Sequence, residues 1–237
     1  MQNKLRSIII SLFCMLGLWN LHAQTATAKT KVAAIIKVEK DTLPLYRGIR
    51  FELDLAPIAS YFINKGERIS YEAGVSVDLK NKYFPTFEMG YGNADRINDS
   101  GVGFTSKALF ARIGADINLM KQKKDQKPTN NLFYAGFRLG MAPVTYSYTN
   151  FSILNDYWGT AVTTNFIDQN TLAKWYEVLL GIRVEIAPKL YMGWTVRLKK
   201  PIGSAKLGKV YPWYIPGYGV KTEQANWGIN YAIGYKF

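Results

Sequence analysis

From Trp227 to Phe237 every second residue is large and apolar: Trp227, Ile229, Tyr231, Ile233, Tyr235 and Phe237. The residues between them, Gly228, Asn230, Ala232, Gly234 and Lys236, are small or polar. A period of two predicts a strand with one face for an apolar medium and the other for a crowded polar interior. Seven earlier segments alternate in the same way. Near 49–59, Ile49, Phe51, Leu53, Leu55 and Pro57 make the apolar stripe, and Arg50, Glu52 and Asp54 lie opposite. Near 69–79, Tyr71, Val75 and Val77 oppose Glu72, Ser76 and Asp78; near 83–91, Tyr83, Phe87 and Met89 oppose Thr86 and Glu88. Near 107–119, Leu109, Ile113 and Ile117 oppose Arg112 and Asp116; near 132–142, Phe133, Phe137 and Leu139 oppose Tyr134 and Arg138. Near 175–187 the apolar stripe falls on even numbers, Tyr176, Val178, Leu180, Ile182, against Glu177, Arg183 and Glu185. Near 190–198, Met192, Trp194 and Val196 oppose Tyr191, Thr195 and Arg197, with Lys199 continuing the polar side.

Each segment thus has one face almost free of charge. Shifting any strand by one residue would carry its charges to the apolar side. In hydrocarbon an outward Arg costs ~2–4 kcal/mol at the bilayer midplane. These faces predict an all-β fold, an eight-stranded antiparallel up-and-down transmembrane β-barrel over 47–237, with the Phe237 strand closing against the first. The connections support it. Short turns at Lys80–Lys82 and Ala187–Lys189, and the stretch 121–130, alternate with the longer 92–106, 147–174 and 200–226. Short turns belong on the periplasmic side and long loops outside. The first outer connection, 64–68, is short and fits poorly. Ten strands is the alternative, if part of 147–174 forms another hairpin.

The N-terminus gives the same address. Lys4 and Arg6 precede an apolar run, Ser7 to Leu18, and Ala23 ends it, so 1–23 reads as a secretory signal peptide. The run is too short for the ~20 residues a spanning helix needs. Phe13 before Cys14 argues against a lipoprotein. Residues 24–46, rich in Thr, Ala and Lys, read as a periplasmic tail. Cys14 and His22 are the chain's one cysteine and one histidine, and both lie within 1–23. Removing that segment excludes disulfides, Cys nucleophiles, imidazole metal sites and Ser-His triads. No cofactor or metal site is expected. About 214 residues remain, enough for one domain. The net charge of +13 is spread through tail, turns and strands, without the clustering or motif a nucleic-acid binder shows.

The inward positions carry the candidate chemistry. Their acids are Glu52, Asp54, Glu72, Asp78, Glu88, Asp116, Glu177 and Glu185; their bases are Arg50, Arg112, Arg138, Arg183, Arg197, Lys199 and Lys236. Near balance predicts a structural ion-pair lattice filling the lumen, since buried charges need partners. A carboxylate pair in acid–base work, as in glycosidases, is the competing reading. Neighbouring arginines would spoil such acids, so no catalytic residue is assigned. Lys121, Lys123, Lys124 and Lys127 crowd one turn and suit either plain solvation or contact with anionic headgroups. The run 211–219, with Trp213, Tyr214 and Tyr218, is the densest aromatic cluster outside the strands. It reads first as an ordered loop or rim, and second as a surface contact for a ligand or partner.

The segment from Asp78 to Gly92, DLKNKYFPTFEMGYG, resembles the hallmark of a family of small outer-membrane proteins catalogued as a domain of unknown function. Tyr191 to Arg197 and Trp213 to Gly219 are similar to its later motifs. The resemblance covers 41–237. It implies an outer-membrane barrel, similar in shape to the OmpA and OmpX type, and carries over no catalytic residue. The terminal aromatic, Phe237, resembles the signal read by barrel-insertion machinery. Outer-membrane lipid and that machinery are the expected partners. The expected function is non-enzymatic, structural or interacting through outer loops. The alternative is a small binding or porin-like barrel for a lipid, sugar or small hydrophobic solute.

Overall fold

The computed structural model describes residues 44–63, 66–120, 130–154, 161–203, 210–220 and 225–237. The signal segment, nearly all of the 24–46 tail and the lysines of the 121–127 turn lie outside these. The elements are β1 (Tyr46–Asp54), α1 (Ala56–Ile63), β2 (Arg68–Leu79), β3 (Tyr83–Ile97), β4 (Gly103–Asn118), β5 (Leu132–Leu154), β6 (Ala161–Ala187), β7 (Leu190–Pro201), β8 (Tyr214–Ile215), β9 (Gly219–Val220) and β10 (Asn226–Lys236). All strands except β8 and β9 join one antiparallel sheet that closes on itself in the order β1-β10-β7-β6-β5-β4-β3-β2. The closing pair aligns Arg50 with Lys236 and Asp54 with Ala232. β8 and β9 form a separate two-stranded hairpin.

One end of the ring carries tight turns, the other the longer connections. At the turn end Lys80 and Asn81 both have φ near +55°, at 55° and 53°. That is the primed turn whose twist matches flanking strands. Asn81 N–H donates to Asp78 Oδ1 at 2.8 Å, which fixes the turn.

From the turn end upward, every strand shows its apolar stripe to the outside. Phe51, Tyr71, Phe87, Ile113, Phe137, Leu180, Trp194 and Ile229 are all exposed. Between the turn end and the middle of the strands, no outward position in the ring is charged. The stripe then changes sides. In β5 the outward residues pass from Phe137, Leu139 and Met141 to Thr145, Ser147 and Thr149, while the inward ones pass from Arg138 to Ala142, Val144, Tyr146 and Tyr148. In β4, Phe104, Ala108 and Phe110 face in above Arg112, and Thr105 and Lys107 face out above Leu109. Near the turn end the ring is therefore apolar outside and polar inside, and along β4 and β5 this reverses toward the loop end. The buried aromatics of that second half form one apolar core with Trp175, Tyr214, Ile215 and Tyr218.

Two expectations are corrected. The first strand stops at Asp54, five residues before 59. Asp54 Oδ1 accepts from Ala56 N–H at 3.0 Å, and Pro57, with no N–H to offer a ladder, sits in the first turn of α1. The connection to β2 is thereby long, and the poor fit of a short outer loop disappears. Residues 147–174 are neither a free loop nor an extra pair of ring strands. Where described, they prolong β5 and β6, with Tyr148 opposite Phe166 and Phe151 opposite Thr164.

Candidate functional site

The site is the filled interior, and alternation alone puts its side chains there. At its centre three arginines meet one carboxylate. Glu88 accepts from Arg112 Nη1 at 2.8 Å, from Arg138 Nε at 3.0 Å and from Arg197 Nη1 at 2.7 Å. Arg112 also holds Glu72, at 2.5 and 3.0 Å, and its Nε lies 2.9 Å from Glu177 Oε1. Arg197 Nη1 donates to Glu177 Oε2 at 3.0 Å, and Trp175 Nε1 to Glu177 Oε1 at 2.6 Å. Arg138 Nη1 lies 2.7 Å from Asp116. Glu177 and Asp116 are completely buried. Such an arrangement offsets the desolvation of its ions only because nearly every one has several partners.

Nearer the turn end is a second group. Arg183 Nε lies 2.7 Å from Glu52, and Arg50 Nη1 lies 3.8 Å from the same carboxylate. Two rings carry their positive charge further: Arg183 lies 4.7 Å from the Tyr134 centroid, and Arg50 4.7 Å from that of Tyr191. Lowest of all, Lys236 Nζ donates to Asp78 Oδ2 at 2.6 Å, with Arg47 at 3.9 Å. The space left among these groups, lined by Glu52, Arg183 and Arg197, is a cavity of about 30 Å³. That is room for roughly one water molecule.

Three of the expected members stand apart from it, among them Lys199, whose ammonium donates to a backbone carbonyl, Gly217 O, and makes no ion pair among the described residues. Asp54 is held by Asn230 Nδ2 and by the Ala56 and Tyr231 amides, not by an arginine. Glu185 sits at the turn end, where Asn130 Nδ2 donates to it at 2.7 Å and Lys189 N–H at 3.0 Å. The aromatic run also differs from a surface contact: Tyr214 and Tyr218 are buried. Gly217, at φ +80°, turns the β8–β9 hairpin down into the ring. Its carbonyl accepts from Lys199 Nζ at 2.8 Å and Arg112 Nη2 at 3.1 Å, so the hairpin rests on the lattice as a plug. Tyr146 Oη donates to Val210 O, and Tyr148 Oη to Tyr211 O at 2.8 Å, which ties the plug to β5. Burial raises the phenol pKa of Tyr214 and Tyr218, so both stay neutral. Trp213 is half-buried, with Arg96 4.9 Å from its ring centroid.

Trp175 and Phe110 are interior residues that the sequence reading did not name. Each lies two positions from a charged lattice member, Glu177 and Arg112, and shares its face. Extending the inward face beyond the charges would have found both.

An antiparallel ring closed first strand to last, filled by its own ion pairs and plugged by an aromatic hairpin, defines the class of protein. The chain belongs to the family described as Domain of unknown function (DUF6048), whose pattern matches residues 5–237. The match begins well before residue 41. No curated protein matches the chain.

Proposed function

We propose that this is a non-enzymatic outer-membrane β-barrel that meets other envelope components through its loop end. One observation carries the reading: a charge-free apolar belt runs round the outside of all eight ring strands. Water-facing proteins rarely expose an apolar patch beyond a few hundred Å². Hydrocarbon accepts such a belt, and a closed ring leaves no unpaired edge in it apart from the short seam above Asp54. On this reading the turn end faces the periplasm, and the outward shift to Thr145, Ser147 and Lys107 marks where lipid gives way to water. Phe237 then ends the belt, its ring 5.6 Å from Phe51 and 4.8 Å from Tyr235, centroid to centroid. Glu88 is held by three arginines, Glu177 by two and Asp116 by Arg138, which favours a structural lattice over catalysis.

Membrane fractionation with a heat-modifiability gel tests the proposal. The protein is expected in the outer-membrane fraction, migrating differently before and after boiling. Recovery as a soluble periplasmic protein with no heat-dependent shift would overturn it.

A further inference from the structure

The wall of the ring is incomplete at one place. β1 pairs with β10 only from Arg50 to Asp54, and with β2 only as far as Leu53 opposite Ala73. Beyond that point β10 continues to Asn226 and β2 to Arg68, each paired on its other side with β7 and β3. α1 packs against both strands across the gap. Behind it lies a cavity of about 270 Å³, bounded by Pro57 and Ser60 of α1, Ser70 of β2 and Gly228 of β10. That is just below the ~300–1,000 Å³ of pockets for drug-sized molecules.

The lip and the floor of this cavity differ. The lip is apolar on the β10 side, where Trp227 and Ile229 are exposed, Ile229 to 72%, and α1 carries two further exposed apolar side chains, Ile58 and Phe62. The floor is cationic. Lys199 is buried, donates to Gly217 O, and makes no ion pair with a carboxylate among the described residues. A Cβ at Gly228 would stand 3.1 Å from Lys199 Cε and 3.4 Å from Nζ, so the missing side chain leaves the ammonium within reach of the cavity. The two acids of the lining are already engaged, Glu72 by Arg112 and Asp54 by Asn230 and two amides. Tyr218, also in the lining, has a buried hydroxyl with no hydrogen-bond partner among the described residues.

We propose that this side notch admits the anionic headgroup of a membrane lipid. Lys199 supplies the counter-charge, the Tyr218 hydroxyl a further donor, and the acyl chains stay outside against Trp227, Ile229, Ile58 and Phe62. A headgroup fits the volume and the charge, and the apolar lip opens on the belt where lipid chains would lie. The inference rests on the membrane-spanning reading.

The test uses purified protein in dodecyl maltoside micelles, titrated with dioleoylphosphatidylglycerol or dioleoylphosphatidylcholine, with bound lipid counted by native mass spectrometry. Wild type should retain the anionic lipid in preference to the zwitterionic one. Lys199→Gln should lower that retention about tenfold, the scale of one charge-assisted hydrogen bond. Gly228→Val, which keeps the charge but fills the approach to it, should do the same. Soluble glycerol 3-phosphate should not displace the lipid. Equal retention by wild type and Gly228→Val, no preference for the anionic lipid, or displacement by glycerol 3-phosphate at lipid-like concentrations would each overturn the inference. A heat-shifted wild-type band on the same preparation separates that failure from failure of the barrel reading.

Discussion

Glu88 is the residue on which the interior turns, because Arg112, Arg138 and Arg197 all reach it. Its loss would leave three buried guanidinium groups short of counter-charge. Removing one member of a buried ion pair typically costs ~3–5 kcal/mol. Glu88→Leu should therefore lower the unfolding free energy of the heat-modifiable form, read from urea titration, by several kcal/mol, while Asp168→Asn on the exposed β5–β6 hairpin should change it by less than ~0.5 kcal/mol. Arg183→Leu belongs with Glu88→Leu, since it strips Glu52 of its 2.7 Å partner and Tyr134 of its cation. That these side chains face inward was legible from alternation, because a period of two fixes the face. Their partners were not, because depth in a tilted, staggered ring depends on shear, which no single strand records. Asp54 and Glu185 show the difference: each has the parity of a lattice member, yet each sits at a different height and takes amides in place of arginines.

At the scale of elements, the β8–β9 hairpin is the part whose placement least resembles its sequence. An aromatic run between long connections looks like a surface loop, and its burial depends on the apolar inner face at the loop end. That face was hidden by the change of polarity within β4 and β5. In β5 the alternation continues without a break past Met141, but the apolar member moves from odd to even positions at Ala142. A search for one outward stripe stops there and takes 147–174 for a loop. α1 was missed because Leu55 and Pro57 extend the odd stripe in spacing, while Pro57 cannot extend it in hydrogen bonding. Gly217→Val tests the plug. Its φ of +80° is strained for a β-branched residue, and the added Cβ would stand 2.6 Å from the Phe110 ring. The variant should keep its heat shift, since the ring strands are untouched, yet become cleavable by added protease within 210–220, where wild type resists.

For the whole molecule, the lattice and the plug are two successive seals. An eight-stranded ring has an interior just wide enough for side chains to fill it. Purified protein in a planar bilayer should show no steady conductance, and deletion of 213–220 should leave it silent, because the ion pairs below still occupy the lumen. Stable channels from wild type would contradict the filled interior. Phe237→Asp should cut membrane accumulation far more than Lys236→Gln, as quantified by immunoblot of membrane fractions, since the first puts a charge at the edge of the apolar belt. The short seam between β1 and β10 has a consequence in time. Every other ring pairing joins successive ring strands, with only the β8–β9 hairpin intervening between β7 and β10, and β5 pairs with β6 from Leu132 to Leu154. Arg50 and Lys236 lie at opposite ends of the described chain, and their encounter bears the largest loop-closure entropy for a five-residue reward. The ring should thus grow as a curling sheet outward from β5 and β6, with the seam made last. On heating or pulling, the order reverses: amides of Phe51 and Leu53 should exchange with deuterium well before those of Leu139 and Leu180.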